Sequence, residues 1–202
     1  MKIGPKYKIC KRLGASVFEK CQTQRFQVAE ARSPRKVSRG SRGGSDFGLQ
    51  LLEKQKARFT YGLSERQFSR YAHEAMEHSG SAATGLLARL ESRLDNAVYR
   101  ARFVSTRRAA RQLVSHGHVT LNGRRQNVPS HMLEKGDVIA IRPESRTSPL
   151  FTTRAEKMAE QKTPVWMTLE DNGFAANITA EPGASATDVA FDPGVIIQFY
   201  SR

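Results

Sequence analysis

The stretch STRRAARQLVSHGHVTLNGRR, residues 105–125, constrains the fold of this chain more tightly than any other. It reads as a short helix with an arginine-rich exposed face that runs directly into a tight β-hairpin. Ser105 or Thr106 supplies the hydroxyl cap at the helix start, and Gly117 supplies the positive φ that ends it. Ala109, Ala110, Leu113 and Val114 form an apolar stripe at helical spacing, leaving Arg107, Arg108, Arg111 and Gln112 on or beside the solvent face. Val119 and Leu121 alternate as in a half-buried strand. Asn122-Gly123 then satisfies a type I′ turn, which needs positive φ at both central positions. The unit presents a dense cationic edge of the kind a phosphate backbone requires.

The charge balance supports a polyanionic partner. The chain has 33 Lys and Arg against 19 Asp and Glu in 202 residues, a formal net charge of +14. Such an imbalance speaks to partners rather than to fold. Nucleic acid is the first candidate and an acidic membrane surface the second. No apolar run is long enough to span a bilayer, and MKIGPKYKICKRLG lacks the apolar core of a secretory signal. The two cysteines, Cys10 and Cys21, form no CxxC, so a disulfide framework is not expected and a reducing compartment is. The basic charge falls in two segments. Residues 1–44 carry twelve basic and two acidic side chains, and residues 91–153 carry eleven and five, whereas residues 154–202 are net acidic.

Along the chain, residues 1–44 hold few large apolar side chains and end in SPRKVSRGSRGGS. Composition predicts an arm that becomes ordered on its partner, with a short helix around Tyr7–Leu13. A helix is predicted from Asp46 to Tyr61, stopped by Gly62. Ser64-Glu65-Arg66-Gln67 is a capping-box pattern that opens the next helix, whose apolar face is Phe68, Tyr71, Ala72 and Ala75. The stripe Leu86, Leu87, Leu90, Leu94 and Val98 predicts a third helix running to about Phe103. Asp137–Ile141 reads as a short strand, a modest helical stretch is expected near Arg154–Gln161, and the terminal VIIQFY is predicted to be a final strand.

LESRLDNAVYR at 90–100 followed by RRAARQLVSHGHVTLNGR at 107–124 resembles the S-four RNA-binding domain. EKQKARFTYGLSERQF at 53–68 and the closing FYSR at 199–202 resemble bacterial-type small-subunit ribosomal protein S-four. The resemblance covers nearly the whole chain and is weakest around residues 20–44 and 171–190. It implies an α+β protein. A mostly helical first domain would comprise residues 1–90 completed by a returning segment 154–202, with a small S-four RNA-binding domain inserted at 91–153. It implies a structural protein and no enzyme: one that binds small-subunit ribosomal RNA directly and nucleates assembly of the subunit body. With ribosomal protein S-five it would influence translational accuracy, beside other small-subunit proteins, in the cytoplasm or in an organellar ribosome. Some relatives hold zinc with four arm cysteines. Here only Cys10 and Cys21 occur, with no nearby histidine, so no metal and no cofactor is expected.

The expected RNA contacts fall in three groups. Arg107, Arg108, Arg111, Gln112, His116, His118, Asn122, Arg124 and Arg125 form the helix-and-hairpin surface. Between Ala101 and Leu133 there is no acidic residue, and the three helix arginines have no carboxylate at i, i+4. The bland alternative is a solvated charged face, which most charge runs are. Guanidinium groups fork onto phosphate and stack on bases. Lys54, Arg58, Tyr61, Arg66 and Arg70 make a second group, with Tyr61 able to stack, against the alternative of ordinary helix solubility. Lys8, Arg12, Arg35, Lys36 and Arg39 of the arm touch phosphate collectively. His116-Gly117-His118 offers only two metal ligands, and His73 and His78 are not in an HExxH arrangement. Glu91 and Asp95 stand one helical turn apart and are expected to be exposed or arginine-paired rather than catalytic. Two rival functions are an RNA-modifying enzyme carrying the same small module and a free RNA chaperone. The first needs a catalytic block that the remaining residues do not contain.

Overall fold

A computed structural model describes residues 3–32, 45–78, 80–148, 151, 163–171, 173–182 and 189–202, and divides the chain into two units. Met1–Leu86 with Asp188–Arg202 forms the first unit, and Leu87–Thr187 the second. The predicted helix near Arg154–Gln161 lies outside the described residues, as do Arg35, Lys36 and Arg39.

The first unit is helical: α1 (Lys6–Leu13), α2 (Gln24–Arg32), α3 (Asp46–Tyr61), α4 (Glu65–Glu77), the start of α5 (Ala82–Glu91), and a helix at the chain end. Ser45 caps α3 by accepting from the Gly48 amide, and Ser64 caps α4 by accepting from the Gln67 amide at 3.3 Å. The expected unstructured arm is not what residues 3–32 form. Cys10, Leu13, Phe18, Cys21 and Phe26 close on Phe59 of α3 in an apolar cluster. A sparse set of aromatics buries enough surface once a ring from another helix joins it. Burial pushes the Cys21 thiol up to about 12, with the Cys10 thiol beside it, and both cysteines are buried and free.

The terminal VIIQFY is a helix, α8 (Pro193–Tyr200), not the predicted strand. Asp192 Oδ1 accepts from the Gly194 and Val195 amides at 2.7 and 3.3 Å, and Pro193 sets φ for the first helical residue. An apolar run of this length carries no periodicity to separate helix from strand, so the cap decides.

The second unit sets α6 (Leu94–Arg100) and α7 (Arg107–Ser115) with a sheet of β1 (Val119–Leu121), β2 (Arg124–Gln126), β3 (Val138–Ile141), β4 (Met167–Leu169) and β5 (Ala175–Ile178). The sheet is antiparallel, in the order β2-β1-β3-β5-β4. The fold is therefore α+β as expected. The predicted hairpin pairs Leu121 with Arg124, and Asn122 takes φ 50° with Gly123 at 78°. The returning segment differs from expectation. Val138 pairs with Asn177 and Met167 with Ile178, so Met167–Leu169 and Ala175–Ile178 extend this sheet and only the last fifteen residues belong to the first unit. The predicted long helix also differs: it breaks at Ser92-Arg93, where Arg93 bridges to Met132 and α6 starts anew. Leu94, Val98, Phe103, Leu113, Val114, Val119, Ile139, Ile141, Trp166 and Ile178 form the core. Among the described residues no helix is long and apolar enough to cross a membrane.

Candidate nucleic-acid interface

In the second unit, Thr106 Oγ1 accepts from the Ala109 amide at 3.1 Å and starts α7. Ala110, Leu113 and Val114 are buried, which turns Arg108 and Gln112 outward. The first turn of α7 contains Arg107 and Arg108 and no acidic residue. Helix N-termini carry partial positive charge, and a cation there costs about 0.3–1 kcal/mol. The arrangement favours an external anion.

The three helix arginines are not equivalent. Arg107 Nε donates to Asn96 Oδ1 at 3.0 Å, and its guanidinium lies 4.3 Å from the Tyr99 ring centre. Arg111 Nε stands 3.3 Å from Asp95 Oδ2. Asp95 also accepts from buried Arg93, at 2.9 Å on Oδ1 and 2.7 Å on Oδ2. Glu91, fully buried, accepts two bonds from Arg100 at 2.8 and 2.9 Å and one from Asn96 at 2.9 Å. Glu91 and Asp95 are thus arginine-paired inside the fold. Arg107 and Arg111 serve the structure as well as facing outward; spacing at i, i+4 does not reveal it because Asn96 lies eleven residues before Arg107 and the Asp95 carboxylate sixteen before Arg111.

The hairpin adds Arg124 and Arg125, both exposed. Arg125 Nη2 donates to the His116 carbonyl at 3.3 Å, which holds it beside the end of α7. A Cβ at Gly117 would collide with this guanidinium, and Gly117 has φ 72°. No carboxylate among the described residues pairs with Arg108, Arg124 or Arg125. His116 is exposed, while His118 Nδ1 lies 2.9 Å from Ser145 Oγ. Asn122 is committed to its own turn: its Nδ2 donates to Asp137 at 2.8 Å and its Oδ1 accepts from the Val138 amide at 2.8 Å. Its side chain fixes the hairpin and is withdrawn from the contact set.

In the first unit the expected contacts also divide. Lys54, with 8% of its side chain exposed, donates to Glu65 Oε1 at 2.6 Å, and Arg58 donates to Oε2 at 3.0 Å. The Tyr200 hydroxyl donates to the same carboxylate at 2.7 Å, and the Phe199 ring centre lies 4.4 Å from Lys54 Nζ. Burial pushes the Glu65 carboxyl up, but hydrogen bonds from Lys54 and Tyr200 outweigh it and hold the carboxyl below its usual range. Tyr61 is buried edge-on against Phe191, with ring centres 6.2 Å apart, and has no face open to a base. These three residues lock α3, α4 and α8 together; the sequence could not show it because Glu65 reads as an ordinary capping-box member. Lys8, Arg12, Arg66 and Arg70 are exposed, Arg70 with a long 3.5 Å approach to Glu74.

Residues 1–91 match the family described as the ribosomal protein S4/S9 N-terminal domain, and residues 92–139 match the S4 domain. The chain is similar to proteins named small ribosomal subunit protein uS4. It is 43% identical to that of Roseiflexus castenholzii over 202 residues, covering 99% of this chain and 98% of that protein. It is 39% identical to that of Chloroflexus aurantiacus over 206 aligned positions, 99% and 98% of the two. With that of Pelotomaculum thermopropionicum it shares 38% identity over 199 residues, 96% of each.

Proposed function

The chain belongs to the small ribosomal subunit protein uS4 family, a family of structural and non-enzymatic ribosomal proteins, and from that premise we propose that it binds small-subunit ribosomal RNA directly as part of the cytoplasmic small subunit. In this reading it nucleates assembly of the subunit body and, with ribosomal protein S-five, influences translational accuracy. The observation that carries the RNA reading is the cationic edge of the second unit. Arg108, in the already positive first turn of α7, and Arg124 and Arg125, on the hairpin that follows the helix, are exposed and have no carboxylate partner among the described residues. RNA phosphates supply the missing anion. Gln112 and His116 add exposed polar side chains beside them, and Lys8, Arg12, Arg66 and Arg70 are exposed cations of the first unit.

The test replaces Arg108, Arg124 and Arg125 together with alanine, since these three do not hold the core. Binding to transcribed small-subunit ribosomal RNA is measured by filter retention across a salt series. Each lost phosphate contact is expected to reduce the slope of log affinity on log salt by about 0.7–0.9, so about two to three for the triple variant. A folded triple variant with the parent's affinity and slope would refute the assigned surface. Gradient fractionation is expected to find the parent chain stoichiometric in small subunits, which a free chaperone would not be.

A further inference from the structure

We infer that Arg102 is an RNA phosphate-binding residue, held in a strained turn beside Arg107 on the Tyr99 ring; the inference rests on the RNA-binding reading above and extends it to a residue outside the expected set.

At the end of α3 the Leu63 amide donates to the Arg58 carbonyl at 3.0 Å and the Gly62 amide to the Phe59 carbonyl at 3.3 Å. At the end of α7 the His118 amide donates to Leu113 at 3.1 Å and the Gly117 amide to Val114 at 2.8 Å. In both, the residue that closes the turn is a glycine in the left-handed region, φ 64° and 72°. Gly14 after α1 has φ 64° as well. The end of α6 repeats the geometry: the Phe103 amide donates to Val98 at 3.2 Å and the Arg102 amide to Tyr99 at 3.0 Å. Here the left-handed residue, φ 59°, is an arginine. A Cβ is disfavoured in that conformation, and three sister positions avoid it.

Beyond its approach to the Tyr99 ring, the side chain gives the fold no evident return for that strain. Arg102 Nε is buried with no hydrogen-bond partner, and among the described residues no carboxylate reaches the guanidinium. The neighbouring acids are already used: Glu91 by Arg100 and Asn96, Asp95 by Arg93 and Arg111. Arg102 lies 5.5 Å from the Tyr99 ring centre, and Arg107 lies 4.3 Å from the same centre. Two like charges therefore share one ring. An anion with several acceptor oxygens gives Arg102 the ion pair it lacks among the described residues; in an RNA-binding unit that anion is a backbone phosphate. Strain kept at a position with no structural gain is the pattern of a functional site.

The test uses the full chain and two variants, Arg102→Gly and Arg102→Lys. Unfolding is followed by the fluorescence of Trp166, the only tryptophan, and binding by salt-dependent affinity for transcribed small-subunit ribosomal RNA. Arg102→Gly is expected to unfold at the parent temperature or above, because relief of strain offsets the added freedom of the unfolded chain. Its affinity is expected to fall about tenfold and its salt slope by about one. Arg102→Lys keeps the charge and is expected to keep the slope. A lower unfolding temperature for Arg102→Gly would assign the side chain to the fold and overturn the inference. Parent-like binding by Arg102→Gly, or loss of slope in Arg102→Lys, would overturn it too. If the parent chain itself ignores this RNA, the RNA-binding reading falls, and the inference with it; parent binding with an indifferent Arg102→Gly removes the inference alone.

Discussion

Asp95→Asn is the sharpest probe of the second unit, because it changes charge with almost no change of shape. The Asp95 carboxylate accepts two bonds from Arg93, which has 0% exposed surface, and faces Arg111, whose side chain is 35% exposed. The two halves of this pairing differ greatly in worth. Neutralising one member of a buried ion pair costs about 3–5 kcal/mol, since the other charge keeps its desolvation penalty. The pair with Arg111 is reached by solvent and contributes about 0.2–1 kcal/mol. Domains are commonly stable by about 5–15 kcal/mol, so the substitution removes a large part of the total. At about 4–8 °C per kcal/mol for a domain of this size, the unfolding midpoint drops by at least about 12 °C. Trp166 reports on this unit alone: it is 3% exposed in the same core as Leu94, Val98 and Ile178. Arg111→Ala in the same assay is expected to move the midpoint by only a few degrees. An Asp95→Asn variant that melts within a few degrees of the parent, or an Arg111→Ala variant that costs as much, would overturn this division between the buried and the solvent-reached pair.

Two further outcomes follow from the caps and the terminal helix. Gly117→Ala forces a side chain into φ 72° and against the Arg125 guanidinium. It is expected to destabilise the second unit by about 1–2 kcal/mol and to weaken RNA binding, read by Trp166 melting and filter retention; a neutral result on both counts against the packed placement of Arg125. In the first unit the Glu65 carboxyl is held low, so its contribution is present above the unfolded value of about 4.3 and is lost as pH falls through the folded value. Tyr200 is shifted the other way, by burial first and then by the Glu65 charge, so its contribution is present below about pH 10 and is lost as pH rises through the raised folded value. Helical circular dichroism is therefore expected to fall at both extremes, and Tyr200→Phe is expected to flatten the alkaline limb; an unchanged limb sinks the assignment.

The local parts of this fold were legible because each is decided within a few residues. The α7 stripe, the Thr106 cap, the Asn122-Gly123 turn and the Ser64 cap each state their geometry in sequence. What was not legible depends on partners far along the chain. Met167–Leu169 and Ala175–Ile178 are too short to show a period, and only the pairing of β5 with β3 and of β4 with β5 makes them strands. Tyr61 looked like an exposed stacking ring until Phe191, 130 residues later, covered it. The same limit applies to charge. Residue type names an arginine, but only its neighbours say whether it faces RNA or a carboxylate. Lys54 and Arg58 turn inward because Glu65 and Tyr200 meet there.

The arginines of the second unit make sense as one graded system. Two buried carboxylates, Glu91 and Asp95, face three guanidinium groups, those of Arg93, Arg100 and Arg111, and a fourth, that of Arg107, reaches Asn96, which itself donates to Glu91. Arg93 and Arg100 take the bidentate bonds, and that fixes where α6 begins and how it meets α5. Arg107 and Arg111 take the second, weaker places, through Asn96 and through one oxygen of Asp95. The inner acids thus neutralise the inner bases, and the surplus positive charge is displaced onto α7, whose N-terminal dipole has the same sign. Adding a carboxylate to the first turn of α7 would relieve that surplus within the protein. Its absence is what leaves the edge of the unit to be neutralised from outside.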